Sequence, residues 1–254
     1  MPICYEHPLN ERIRLLLRLE MFFQQVHQSL TESSEWSSLL AVQGILGIFG
    51  LTGRAELKAE LLKELERYAQ SLNRLRQTPS VDVAILDEVL AHISQVTQRM
   101  QTLSNHTLRQ VRKNEFLDTL SRRSPVQGSA SAFDSPALYY WLHQDDMVRV
   151  DCLEQWLRPV QPIRDAVELL LGIIRDSAVL DEEVALQGFF QKTLDSTVPS
   201  QLIRIMLPDK SSVFPETSGS KHRLSIRFME QHDFKERPRH CRDTIEFRLA
   251  CCAF

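Results

Sequence analysis

The arginines of this chain are the residues whose spacing could do chemistry. In "HPLNERIRLLLRLE", which starts at residue 7, Arg12, Arg14 and Arg18 stand within a dense run of leucines. Arg14 and Arg18 are four apart, so on a helix they share a face, opposite the apolar stripe at about 100° per residue. Arg12 falls nearer the stripe. A second cluster, "RQVRKNEFLDTLSRR", sets Arg109, Arg112, Lys113, Arg122 and Arg123 against Glu115 and Asp118. A third gathers Arg204, Lys221, His222, Arg223 and Arg227. Arg223, Ser225 and Arg227 recur every second residue, which on a strand puts them on one face, away from the core. Like charges on one face repel unless something acidic meets them. Arginine is favoured where a carboxylate is gripped by two parallel hydrogen bonds. The chemistry offered is recognition of an anion: a peptide, a phosphate or a nucleic acid. The plainer alternative is a solvated helix face, with Arg14 and Arg18 paired to Glu11 and similar residues.

Other reactive residues make a weaker case. His232, His240, Cys241, Cys251 and Cys252 could be read as zinc ligands. Neighbouring residues on a strand point to opposite faces, so Cys251 and Cys252 do not easily share one metal. They read instead as small residues ending a strand, and no metal is expected. The chain has no G-x-x-x-x-G-K-[ST], no G-x-G-x-x-G after a strand, no H-E-x-x-H and no G-x-S-x-G. Neither an enzyme nor a cofactor is expected.

Composition bounds the partner. The net charge is -3 over 254 residues. Bulk attraction to nucleic acid is therefore not implied, and any basic site is a local cluster. A nucleic-acid-binding module using the same patches is the alternative reading, against which stands the lack of an aromatic-interleaved basic strand motif. Five cysteines without framework spacing fit a reducing cytoplasm. Glu6 and Glu11 precede the first apolar run, unlike a secretory signal. The longest apolar stretch, residues 39–51, is interrupted by Gln43 and three glycines and falls short of the roughly 20 residues a spanning helix needs. No membrane partner is expected.

The elements that must position these residues come in two periods. Leu9, Ile13, Leu16, Leu19, Phe23, Val26 and Leu30 follow steps of three and four, with Pro8 placed in a first helical turn. A second helix starts after Ser33 or Ser34. Its Gly44, Gly47 and Gly50 imply glycine packing against a neighbour or a break. Gly53 separates it from "RAELKAELLKELERYAQSLNRLRQ", strongly helical by composition. Asp82 is a candidate N-cap for a helix to about Leu103, and another runs from about Thr107 to Arg123. Asp134 or Ser135 caps a short helix at Pro136, and Pro159 and Pro162 divide two more. After residue 182 the period is two: "QLIRIML", "HRLSIRFM" and "TIEFRLACC" read as antiparallel strands with one solvated face, and "EEVALQGFFQKTL" as a fourth. "PDKSSVFPETSGSK" reads as a long loop. The fold class is α+β: a mostly helical domain over residues 1–180, then a smaller antiparallel β domain over residues 181–254.

Six segments, in order, carry a resemblance. "YEHPLNERIRLLLRLE", "ELLKELER", "ALYYWLH", "GFFQ", "SGSKHRLSIRFM" and "EFRLACC" resemble the ZapD family, the Z-ring-associated protein D of bacterial cell division. They extend from residue 5 to residue 252. The resemblance implies a non-enzymatic cytoplasmic homodimer that binds the C-terminal tail of the tubulin-like GTPase FtsZ and bundles its filaments at midcell. It places partner-binding roles on Arg14 and Arg18, on Arg54 before "ELLKEL", on Arg112, on His143 closing "WLH", and on Lys221, Arg223 and Arg227. Glu115 and Tyr139 depart from the family pattern, which implies a basic residue and a histidine there. The glycine-rich "GILGIFGLTG" departs from it as well.

Overall fold

The computed structural model describes residues 2–32, 34–53, 56–78, 81–104, 114–123, 132–195, 197–220 and 222–253. By contacts the chain divides into residues 15–170 and residues 1–14 with 171–254, so the division falls inside two helices. Helices precede antiparallel sheets, an α+β architecture.

The helical unit begins on α1 (Glu11–Leu30). Leu16, Leu19, Phe23 and Val26 are buried, as the three-and-four spacing requires. Helix α2 (Glu35–Thr52) starts at Ser34, whose hydroxyl oxygen accepts from the Ser37 amide at 3.0 Å. It is unbroken. A methyl added at Gly44 would come within 2.6 Å of Val26, and one at Gly47 within 2.7 Å of the Phe22 ring. The glycines thus let α1 approach closely. By length and composition α2 could cross a membrane, but 56% of it is buried inside the fold. Helices α3 (Leu57–Leu75) and α4 (Val83–Thr102) pack against each other. Asp82 caps α4 by accepting from the amides of Ala84 and Ile85. Lys58 donates from α3 to the carbonyls of Gln101 and Leu103, satisfying groups a helix end leaves open.

Helix α5 (Glu115–Arg123) is the described part of the helix expected from Thr107; residues 105–113 lie outside the described residues. Its Phe116 stacks at 5.6 Å on Trp156 of α7 (Asp146–Leu157), and both rings meet Trp141 of α6 (Pro136–Leu142). Arg149 of α7 is 5% exposed. It donates to Ser38 Oγ on α2, to the carbonyls of Leu142 and Gln144, and to Asp146. A 3-10 turn at residues 158–160 leads into α8 (Gln161–Asp176).

The β unit contains two sheets. One has the order β1-β4-β8-β2, with β1 (Ile3–Pro8), β2 (Asp181–Ala185), β4 (Ser200–Leu207) and β8 (Ile245–Ala253). The other has the order β3-β6-β5, with β3 (Phe189–Thr193), β5 (Val213–Gly219) and β6 (Arg223–Glu230); the short β7 (Arg239–His240) also pairs with β6. All pairings are antiparallel. Between the sheets lies a core of Ile203, Ile205 and Leu207 against Leu224, Ile226 and Phe228, with Phe247 and Leu249.

Four expectations change here. Pro8 does not open α1: it ends β1, and Asn10 caps the helix by accepting from the Ile13 amide at 2.9 Å. Residues 182–194 are not one strand but two, β2 and β3, which belong to different sheets and are joined by a tight connection that the Leu186–Phe189 bridge closes. Its turn residues Gln187 and Gly188 both have positive φ, 50° and 67°, the twist a two-residue hairpin loop prefers. The expected long loop contains β5, paired with β6 along its length. Arg204 does not join the other strand arginines, because β4 and β6 belong to different sheets.

Candidate anion-binding surface

Strand β6 lies in the middle of its sheet. Leu224, Ile226 and Phe228 are buried in the core, while Arg223 and Arg227 are exposed on the opposite face with Ser225 between them. The pleat thus sets the two arginines on one surface, as their spacing requires. Their cross-strand neighbours are partly compensating. Arg223 donates to Gln191 Oε1 on β3. Arg227 stands between Phe189 of β3 and Glu216 of β5 in the register. Phe189 is 41% exposed, so an apolar ring borders a cation on open surface.

The other strand arginine is differently employed. Arg204 and Arg175 both close on Glu6 of β1. Arg175 donates through two nitrogens, at 2.8 and 2.7 Å, and the Arg204 Nε lies 3.1 Å from the same carboxylate. The three side chains are mostly buried, a charge network that joins β1 and β4 to the end of α8. Arg204 is structural.

The N-terminus and the β5–β6 connection meet at His7. Gly219 ends β5, and a methyl added there would overlap Leu9 and come within 3.7 Å of the His7 ring. The chain then turns, with the Ser220 amide donating to the Arg223 carbonyl at 2.9 Å. His7 is half-buried, and its pKa is lowered by burial first and by the charge of Arg14 second. So Arg14, His7 and Gly219 at the end of β5 are brought together, from segments at opposite ends of the chain.

The remaining arginines and His143 lie elsewhere. Arg14 ion-pairs with Glu11 at 2.5 Å while its side chain remains 43% exposed. Arg18, one turn on, is exposed and has no ion-pair partner among the described residues. His143 ends α6. Its Nδ1 is 2.8 Å from the Tyr139 carbonyl, its ring stacks on that of Tyr139 at 4.2 Å, and its Nε2 is 3.9 Å from Glu35. Its ring thus lies between Tyr139 and Glu35, and its backbone N–H donates to the carbonyls of Tyr139 and Trp141. Arg54, Arg112 and Lys221 lie outside the described residues, as do Arg109 and Lys113. Arg122 pairs with Asp118 at 2.8 Å on the same helix. Gln191, Glu216 and Phe189 were not singled out in the sequence. Strand alternation marks Gln191 and Phe189 as outward, Glu216 falls in a segment that reads as a loop, and only the register places all three on the strands beside β6.

The cysteines follow the strand period. Cys251 packs towards the core between the sheets and Cys252 is buried on the other face. Burial pushes both thiols up, Cys252 to about 11, so neither is primed as a nucleophile.

Helices followed by antiparallel sheets, with arginines on an exposed strand face, define the class: an α+β protein presenting a cationic surface. Comparison with known proteins gives the family. The family model ZapD, described as a cell division protein, matches residues 17–227. "Cell division protein ZapD" of Methylococcus capsulatus is 37% identical over 250 residues, covering 98% of this chain and 98% of its own. That of Chromobacterium violaceum is 34% identical over 252 residues, covering 99% and 100%. That of Coxiella burnetii is 33% identical over 258 residues, covering 98% and 97%. The chain belongs to the ZapD family of cell division proteins.

Proposed function

We propose that this protein binds the C-terminal tail of FtsZ and cross-links FtsZ filaments in the cytoplasm at midcell, as a homodimer and by binding rather than catalysis. The observation that carries the reading is the exposed arginine pair of β6, with a further half-exposed arginine, Arg14, on α1, in a chain of the ZapD family. A flexible tail with acidic and apolar residues suits such a surface. Its carboxylates take charge-assisted hydrogen bonds from Arg223 and Arg227, and its apolar side chains lie against Phe189. Each contact is weak, because the tail loses conformational freedom on ordering. Two sites on a dimer and many tails on a filament convert weak contacts into stable bridging.

The test is co-sedimentation with polymerised FtsZ, full-length or lacking its tail. Wild-type protein should pellet and bundle only with full-length FtsZ. Arg223→Glu with Arg227→Glu should lower tail affinity at least tenfold with the fold intact, and Arg14→Glu should do the same. Arg18→Glu reads the contribution of the outer α1 face separately. Equal pelleting with both forms of FtsZ moves the contact to the filament body and overturns the tail as ligand. Absence of pelleting with either overturns the partner.

A further inference from the structure

The two segments that meet at His7 are among those the sequence singled out, "EHPLNE" and "SGSKHR". Their junction does more than hold the sheets together. We propose that His7 is a further binding residue of this surface: an incoming carboxylate draws a solvent proton onto its imidazole, so that acidic peptides bind more tightly as the pH falls. This rests on the reading of the surface as an acidic-peptide site, and it names a group of that site and its regulation.

The geometry places the ring where such coupling operates. His7 is on the inner face of β1, opposite Ile203 of β4, with Tyr5 and Leu9 packed on the core to either side of it. From β5 it is met by Gly219, where an added methyl would lie 3.7 Å from the ring, and the ring is half-buried. From α1 it is met by the charge of Arg14, itself paired with Glu11. On its own strand Glu6 is turned to the other face and held by Arg175 and Arg204. His222 and Arg223 follow Gly219 closely in sequence, and from β4 and β8 the register brings Ile203 and Cys251 rather than a carboxylate. In the free protein the nearby charge is therefore cationic, and the neutral imidazole is favoured. A carboxylate seated by Arg14 reverses that balance. It neutralises the cation that disfavours the proton and offers the imidazolium an acceptor. By linkage, whatever the ligand does to the proton affinity of His7, the proton does to the ligand's affinity.

The same reasoning fixes a stability effect. The folded pKa of His7 is below its unfolded value of 6.5. The unfolded chain therefore takes up the proton first as pH falls. The stability that neutral His7 contributes is fully present above the unfolded value, and is lost as pH falls through 6.5 towards the folded value. A bound acidic peptide offsets that loss.

The experiment uses a synthetic peptide of the FtsZ C-terminal tail, titrated into the full chain by fluorescence anisotropy between pH 8.0 and 5.8, a range above ordinary carboxylate pKa values. Wild-type affinity should rise several-fold over that range, with tenfold as the limit if binding raises the proton affinity of the histidine tenfold. His7→Gln should remain near the wild-type pH 8.0 value throughout. His222→Gln should keep the rise. A parallel NMR titration of the wild-type His7 ring, with and without peptide, does not depend on the variant folding, and should show its midpoint higher when peptide is bound. A rise retained in His7→Gln, wild-type binding that is flat with pH, or a His7 midpoint unmoved by bound peptide would each overturn the proposal while leaving the tail as ligand. Absence of peptide binding at every pH would instead overturn the acidic-peptide reading, and this inference with it.

Discussion

Arg149 and Glu6 show what single side chains hold in this molecule. Arg149 is a buried cation that serves a hydroxyl, two carbonyls and a carboxylate from three helices and the connection between two of them. Arg149→Met keeps the volume and removes the donors, leaving buried acceptors unsatisfied, which costs about 2–4 kcal/mol. Thermal unfolding of the purified variant, with a melting temperature lowered by several degrees, checks this. Glu6→Gln keeps the shape but removes the charge on which Arg175 and Arg204 both close, a loss of roughly 2–3 kcal/mol read from urea midpoints. At this scale the sequence was partly legible. Arg223 and Arg227 declare a shared face because the strand period is two. Arg204 shares their residue type and period, and only the sheet order separates it from them. His7 and Gly219 carry no mutual signal, since their proximity is created by tertiary pairing.

Elements were legible where local chemistry is strong. Ser34 and Asp82 are hydroxyl and carboxylate caps at the ends of periodic runs, and both cap their helices in the structure. Asp82→Ala should therefore destabilise by about 1 kcal/mol in equilibrium unfolding. The β2–β3 turn was missed because its first residue is Gln187 rather than the Asn or Asp that usually announces such turns. Gly188 then bears the constraint alone. It has φ of 67°, and a Cβ there would collide with the backbone carbonyl of Cys241. Gly188→Ala should cost roughly 2–4 kcal/mol, from strain and clash together, and should raise amide exchange in β3 first. Strand β1 was missed for a different reason: Pro8, which ends it, suits a helix start equally well in the absence of its partner.

For the whole molecule the governing quantity is the contrast between a net charge of -3 and local cationic surfaces. On the proposed function, attraction to an acidic tail is short-ranged and screened, with a Debye length of about 10 Å at 0.1 M salt. Raising salt from 50 mM to 500 mM should dissolve FtsZ bundles while leaving the melting temperature nearly unchanged, as light scattering and calorimetry on the same samples would show. The α+β class and the family were both readable from the sequence, the first from the change of period and the second from six motifs in order. What was not readable is that the sheet takes its edge strand from the first residues of the chain, because pairing between residues 3–8 and 202–207 leaves no local trace.

That edge strand sets a schedule for biosynthesis. The hydrogen-bonding partner of residues 3–8 is made some two hundred residues after them. At about 5–20 residues per second that is a wait of roughly 10–40 seconds. During it the helical segments can assemble, while "ICYEHP" waits as an unpaired strand. Glu6 and Pro8 then guard the nascent chain, since a charge and a missing amide both discourage a waiting strand from pairing with the wrong neighbour.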